Sequence, residues 1–250
     1  MTAAETTTDA ILGGRLILGQ PAHGHRAGTD AVLVAAAVPA KSGELVADFG
    51  TGVGTAGLAV LVRVPEARAV LIEIDTHTAE LAEGNLIAND FADRARVLVL
   101  DVAEAGTATT SGLAGAIDHV VSNPPFNSGA GRVPPDAATA RARVAPEGQL
   151  EDWMRAAARV LKSGGSLTLI HRPDALTEIL AALLRRFGGI TLRFVHGDGE
   201  APARRVLVQA RKDSRAPLRV LPPLVLNMPG GGFTPDAEAL HRDLAALDMS

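Results

Sequence analysis

Four consecutive residues, Asn123-Pro124-Pro125-Phe126, form the most chemically specific pattern in this chain of 250 residues. An asparagine side-chain oxygen followed by a proline carbonyl offers two acceptors close together, one for each N–H of a flat amino group. Such an amine is a poor nucleophile while its lone pair is delocalised into a ring. Held by two acceptors, the nitrogen can pyramidalise and direct that pair at an electrophile. The prolines stiffen the segment and hold the carbonyl outward. Phe126 gives a face on which an extruded base stacks, worth about 1–3 kcal/mol per base.

A second group of residues lies upstream. Asp48-Phe49-Gly50-Thr51-Gly52-Val53-Gly54 follows an apolar run and places glycines where the backbone must turn sharply beside a ligand. Gly52 to Gly57 also satisfies the dinucleotide spacing G-x-G-x-x-G, so a nicotinamide dehydrogenase is one reading. Against it, Asp48 suits a cationic or amine-bearing ligand better than a pyrophosphate, and no hydride-transfer apparatus follows. Glu73 falls about 20 residues beyond the loop, where an acid can hold ribose hydroxyls. Asp75 competes for that role but reads as a helix cap. Asp101 can accept from an adenine amino group. Three acids at the tips of successive strands match a nucleoside ligand with a positive centre.

The elements that must position these residues alternate. Strands are expected at Leu45–Phe49, Ala69–Ile74, Arg96–Leu100, Ile117–Ser122 and Ser166–His171, then near Ile190–His196 and Arg204–Arg211. Helices are expected at Thr55–Val64, Thr76–Asn89, Leu150–Leu161 and Ala175–Phe187. Thr76 or Asp75 would cap the second of these. Alternation of this kind means a mostly parallel sheet with helices on both faces. The last two strands have no helix between them, which implies an antiparallel hairpin at a sheet edge. Gly13–Gln20 reads as a strand or hairpin arm, and Asp30–Val38 as a short helix capped by Thr29 or Asp30. Leu218–Leu226 is broken by Pro222-Pro223, and Pro235–Leu247 reads as a terminal helix. One domain results, with an extension over 1–40, a core over 41–215 and an appendage over 216–250.

Composition limits the chemistry further. Hydrophobic residues make up 47% and aromatic ones 3%, which calls for an aliphatic core and excludes a disordered or collagen-like chain. There is no cysteine, hence no disulfide, thiolate metal site or thiol nucleophile. His23 and His25 have no third or fourth ligand nearby, so no metal is expected. No apolar run is long enough to span a membrane, and Met1 to Asp9 lack a basic n-region, which leads to a cytoplasmic expectation. Residues 141–220 carry 15 basic and 8 acidic side chains, whereas residues 1–140 carry 8 and 16. That asymmetry suggests a polyanion against the second half, unless it is compositional drift. Trp153, on an amphipathic helix, reads as core. The long segment between Asn127 and Gly148 is expected to order over RNA through Arg132, Arg141 and Arg143.

The ordered set Gly28-Thr29-Asp30, Asp48 to Gly52, Glu73-Ile74-Asp75, Asp101 and Asn123 to Phe126 resembles class I S-adenosylmethionine-dependent methyltransferases acting on planar amino groups. With Gly24-His25-Arg26-Ala27 at the front and Ser122 before the tetrapeptide, the chain is similar to the bacterial adenine-N6 methyltransferases of valine tRNA, which act beside the anticodon. The resemblance implies a Rossmann-like fold with a seven-stranded sheet and S-adenosylmethionine as cofactor. It implies cofactor contacts from Gly28, Thr29, Asp30, Asp48, Gly50, Thr51, Gly52, Glu73, Ile74, Asp101, Val102 and Asn123. Catalysis would fall to Asn123, Pro124, Pro125 and Phe126, with the N6 amine of an adenine in structured RNA, tRNA above all, as acceptor. Methyl transfer is then in-line displacement at carbon, governed by positioning and electrostatics. The tetrapeptide alone fits a guanine N2 amine of ribosomal RNA or a protein glutamine amide equally well. A non-catalytic RNA-binding protein on the same fold is a further reading, which the intact acids disfavour.

Overall fold

The computed structural model describes residues 6–22, 28–125 and 148–250. A two-stranded antiparallel hairpin, β1 (Thr6–Ile11) and β2 (Leu16–Pro21), precedes helix α1 (Thr29–Ala37). The core then runs β3 (Leu45–Phe49), α2 (Thr55–Arg63), β4 (Arg68–Glu73), α3 (Thr76–Ala88), β5 (Ala95–Val99) and β6 (Ile117–Ser122). After it come α4 (Gln149–Val160), β7 (Leu161–His171), α5 (Leu176–Leu183), β8 (Phe187–His196) and β9 (Ala203–Lys212). Two short strands, β10 (Arg219–Val220) and β11 (Leu224–Val225), and helix α6 (Pro235–Arg242) complete the described chain.

The main sheet has the order β10-β8-β9-β7-β6-β3-β4-β5, with β11 also on β8. Every pairing in it is parallel except those of β9, which runs antiparallel to both β7 and β8. The seven long strands and the β8–β9 hairpin follow the expected pattern. The hairpin is not the outer edge, because β10 and β11 lie beyond β8. Pro222 and Pro223 separate these two pieces: neither can donate to a ladder, so the added strand is interrupted there. From β3 the chain moves outward through β4 and β5, then returns to the other side of β3 for β6. The strand order therefore reverses between β3 and β6, where open α/β sheets bind ligands beyond the carboxyl ends. Phe49 is paired with Ser122 at that point, and the Ser122 hydroxyl donates to the Phe49 carbonyl at 3.1 Å.

Two aliphatic cores sandwich the sheet. One joins the hairpin, α1, α2, Leu86 of α3 and Leu240 of α6; the other joins α4 and α5 to the opposite face. Trp153 is buried in the second core as expected, and the remaining large buried side chains are mostly leucines. Helix α5 is shorter than the sequence suggests, because Pro173–Ala175 forms a separate 3-10 turn and the helix ends at Leu183. Strand β7 is longer, starting at Leu161. Among the described residues no helix is long and apolar enough to cross a membrane.

Candidate active site

The glycine turn is built around a buried carboxylate. Asp48, 1% exposed on the last turn-facing position of β3, accepts from the Thr51 hydroxyl at 2.6 Å and the Gly57 N–H at 2.7 Å, both through Oδ2. Burial pushes its pKa up to about 6 against the opposing pull of those two bonds. The acid lies under the loop and ties it to the start of α2, a placement the sequence did not distinguish from an outward-facing ligand. Gly57 packs against Leu71 and Asp48 where a Cβ would collide, so the last glycine of the apparent dinucleotide pattern serves helix packing. Gly50 is obligatory twice over: its φ is +64°, and a Cβ would stand 2.5 Å from Trp153 Cη2. At Gly52, with φ +58°, a Cβ would meet nothing within 4 Å, so the loop is open on that side.

Glu73 fastens the loop to the tip of β4. Its Oε2 accepts from the Gly52 N–H at 2.9 Å and its Oε1 from the Asp75 N–H at 3.0 Å. Asp75 is the N-cap of α3, accepting from both the N–H and the hydroxyl of Thr78 at 2.8 Å; the Thr78 N–H leads in holding its carboxyl below the usual range. Thr76 is the first helical residue and not the cap. Between the two acids Ile74 is 64% exposed at the strand tip. Asp101 is exposed after β5, where it accepts from the Ala103 N–H at 2.9 Å and caps a 3-10 turn, Val102–Glu104, with Val102 buried. That turn is gripped from α4, as the Arg159 guanidinium donates to the carbonyls of Ala103 and Ala105.

Asn123 follows the last residue of β6, next to the turn after β3. Its Oδ1 is buried and has no hydrogen-bond partner among the described residues. A carboxamide oxygen in that state is costly unless something else donates to it. Pro124 beside it is buried and Pro125 half-buried. Gly28 is the N-cap of α1 and no side chain caps that helix, so neither Thr29 nor Asp30 has the capping role suggested by sequence. Asp30 instead accepts from Arg205 Nε of β9 at 2.7 Å. Sequence reasoning missed Arg205 and Arg159, whose partners are far away along the chain. Phe126, Arg132, Arg141 and Arg143, as well as His23 and His25, lie outside the described residues.

The basic second half does not form one face. Arg172, Arg204 and Arg205 stand at the end of the sheet that carries Asn123, whereas Lys162, Arg186, Arg211 and Lys212 stand at the opposite end. In the latter group Lys162 pairs with Asp118 and Arg186 with Glu151.

The model of the methyltransferase small domain matches residues 26–193. A tRNA1(Val) (adenine(37)-N6)-methyltransferase of Porphyromonas gingivalis is 34% identical over 176 residues, covering 69% of this chain and 68% of that relative. The protein of the same description from Phocaeicola vulgatus is 29% identical over 189 residues, covering 73% and 75%. A solved structure from Agrobacterium tumefaciens, described as a predicted O-methyltransferase, superimposes with a TM-score of 0.73 at 35% identity, covering 87% of this chain and 97% of its own. Likeness at that level to a whole methyltransferase makes this chain an S-adenosylmethionine-dependent methyltransferase. It belongs to the methyltransferase small domain family.

Proposed function

We propose that the chain methylates the exocyclic N6 amine of an adenine in structured RNA, specifically a tRNA near its anticodon, and does so in the cytoplasm. The observation that carries this reading is the buried Asn123 Oδ1 at the switch point, which has no hydrogen-bond partner among the described residues and is flanked by Pro124. The relatives' described action on a tRNA adenine supplies the nucleobase. An oxygen acceptor, as in the description of the Agrobacterium structure, has one proton and needs a base to remove it. Here two neutral acceptors match the two N–H bonds of an NH2 group instead: the thioether leaves as the new C–N bond forms, and the methylated nitrogen, then cationic and acidic, releases one of its two protons to solvent.

The residues present fit the cofactor. The open side of Gly52, the exposed Ile74 and the exposed Asp101 leave an apolar and acidic ledge above the loop. Glu73 would hold the ribose hydroxyls and Asp101 the adenine amino group, with Ile74 as the apolar flank and Val102, whose side chain is buried, offering only its backbone. The Gly50-Thr51-Gly52 backbone and the Gly28-Thr29-Asp30 turn would hold the methionine end, with Asn123 close to both ligands. When bound, S-adenosylmethionine supplies an electrophilic methyl group on a sulfonium. Asn123 Oδ1 takes one N–H of the acceptor amine and the Pro124 carbonyl takes the other, so the lone pair turns out of the ring plane. Pro125 restrains the carbonyl, and Phe126 stacks the base. Asp48 acts from below, by fixing the loop. The test is to incubate purified protein with S-adenosylmethionine and tRNA and to digest the RNA to nucleosides. N6-methyladenosine is the expected product; N2-methylguanosine, or label in protein glutamine, refutes the reading.

A further inference from the structure

We infer that Asn85 is a positioning residue that couples the N-terminal hairpin to the glycine loop, so that cofactor affinity depends on how the hairpin is seated. This rests on the proposed cofactor role of that loop. Asn85 stands on α3, 3% exposed, and touches neither Asn123 nor any of the acids at the strand tips by a hydrogen bond. Its Oδ1 accepts from the Gly19 N–H at 2.7 Å, and its Nδ2 donates to the Gly19 carbonyl at 2.9 Å and to the Val53 carbonyl at 2.8 Å. One carboxamide thus completes the peptide group of a β2 residue and holds the peptide between Gly52 and Gly54. The neighbouring N–H in that loop, on Gly52, is held by Glu73. Gly19 has to be glycine or yield, since a Cβ there would lie 3.3 Å from Asn85 Oδ1.

Asn89 provides the internal contrast. Four residues on, at the C-cap of α3, its Oδ1 accepts from the Ile17 N–H at 2.9 Å and its Nδ2 donates to the Ile17 carbonyl at 2.7 Å. Helix positions four apart rise about 6 Å, close to the span of two strand residues. The two carboxamides therefore pair with alternate residues of β2 as a neighbouring strand would, and both seat the hairpin. Only Asn85 reaches the loop as well; the remaining Nδ2 bond of Asn89 goes to the Asn85 carbonyl within α3.

The pair defines the experiment. Asn85→Ala and Asn89→Ala are compared for thermal unfolding, for S-adenosylmethionine affinity by calorimetry, and for turnover at saturating cofactor. Both variants are expected to lower Tm by similar amounts. Asn85→Ala is expected to weaken cofactor binding tenfold or more with kcat within threefold of wild type, and Asn89→Ala to leave affinity within twofold. Equal losses of affinity in the two variants, or an unchanged affinity in Asn85→Ala, overturn the inference while the wild-type affinity upholds the cofactor reading. If the wild-type chain binds no cofactor, both fall. Should Asn85→Ala not fold, hydrogen exchange of the wild-type chain decides: saturating S-adenosylhomocysteine should slow the Gly19 amide more than the Ile17 amide. Equal protection, or none, refutes the coupling.

Discussion

Replacing Asn123 with alanine separates chemistry from stability in an unusual way. Removing a partnered buried acceptor usually costs about 1–3 kcal/mol, because its donor is left without a bond. Asn123 Oδ1 has no donor among the described residues, so its truncation removes a desolvated group without orphaning another there. The loss of packing from so small a truncation is of the same order as the relief. Stability should therefore change by no more than about 1 kcal/mol. Turnover should fall much further: losing one preorganised partner to the reacting group costs about 100- to 1,000-fold in kcat, or roughly 3–4 kcal/mol. Cofactor affinity should stay nearly intact, since the loop is held by Asp48 and Glu73. Urea unfolding, calorimetry with S-adenosylmethionine and single-turnover methylation of a tRNA transcript measure the three quantities on one preparation. Two results would refute the argument: a variant destabilised by several kcal/mol, showing that the oxygen serves the fold, or one that methylates at the wild-type rate.

Three further outcomes follow from the loop and the arginines. Asp48 has its pKa raised from 3.8 to about 6 by burial, so the stability it contributes is full below its unfolded value and lost as pH rises through 6. Two pKa units correspond to roughly 3 kcal/mol, and Asp48→Asn should flatten that decline between about pH 4 and 6 in urea titrations; an unaltered pH profile refutes it. Gly50→Ala combines left-handed strain of about 1–2 kcal/mol with overpacking against Trp153 of about 1–3 kcal/mol; made in a Trp153→Leu background, which is itself destabilised by the cavity left in the core, it should cost only the first part relative to Trp153→Leu alone. A double variant as stable as Trp153→Leu alone would show that φ carries no penalty there. For the segment beyond the tetrapeptide, Arg132→Ala with Arg143→Ala should weaken RNA binding and reduce the slope of log affinity against log salt by about one to two, as expected for two lost phosphate contacts. An unchanged slope excludes those arginines from the backbone.

The strand tips of β3, β4, β5 and β6 were legible because each is a short apolar run closed by an acid or by Asn123, and in β3, β4 and β6 burial on both sheet faces leaves little ambiguity. Placing Asp48, Glu73 and Asp101 at consecutive tips needed nothing beyond counting. What each acid does there was less accessible. An aspartate at a strand end reads alike whether it faces a ligand or turns under a loop, and only the Thr51 and Gly57 bonds distinguish the two. Ser163-Gly164-Gly165 reads as a turn, yet it stays within β7 across a register shift, with Gly165 so close to the Asp118 carbonyl that a Cβ would lie 2.9 Å from it. The pairing of Asp30 with Arg205 joins positions 175 apart, and Arg159 reaches its carbonyls across more than 50 residues. No local periodicity encodes such contacts. They exist because the sheet order brings β9 and α4 back to places that the chain left long before.

The hairpin turn meets the other end of the chain. Arg15 donates to the Arg242 carbonyl, and Leu12 lines the same small cavity as Leu240 and Leu244, while the Leu247 N–H donates to the Ala36 carbonyl. During synthesis, then, the hairpin turn cannot be fully docked until a partner 227 positions further along the chain has been made. At ordinary elongation rates of about 5–20 residues per second, its apolar side waits for more than ten seconds. A nascent chain stalled before residue 240 should consequently leave that hairpin a target for chaperones, and closing so distant a contact makes a slow final folding step the natural one for this topology.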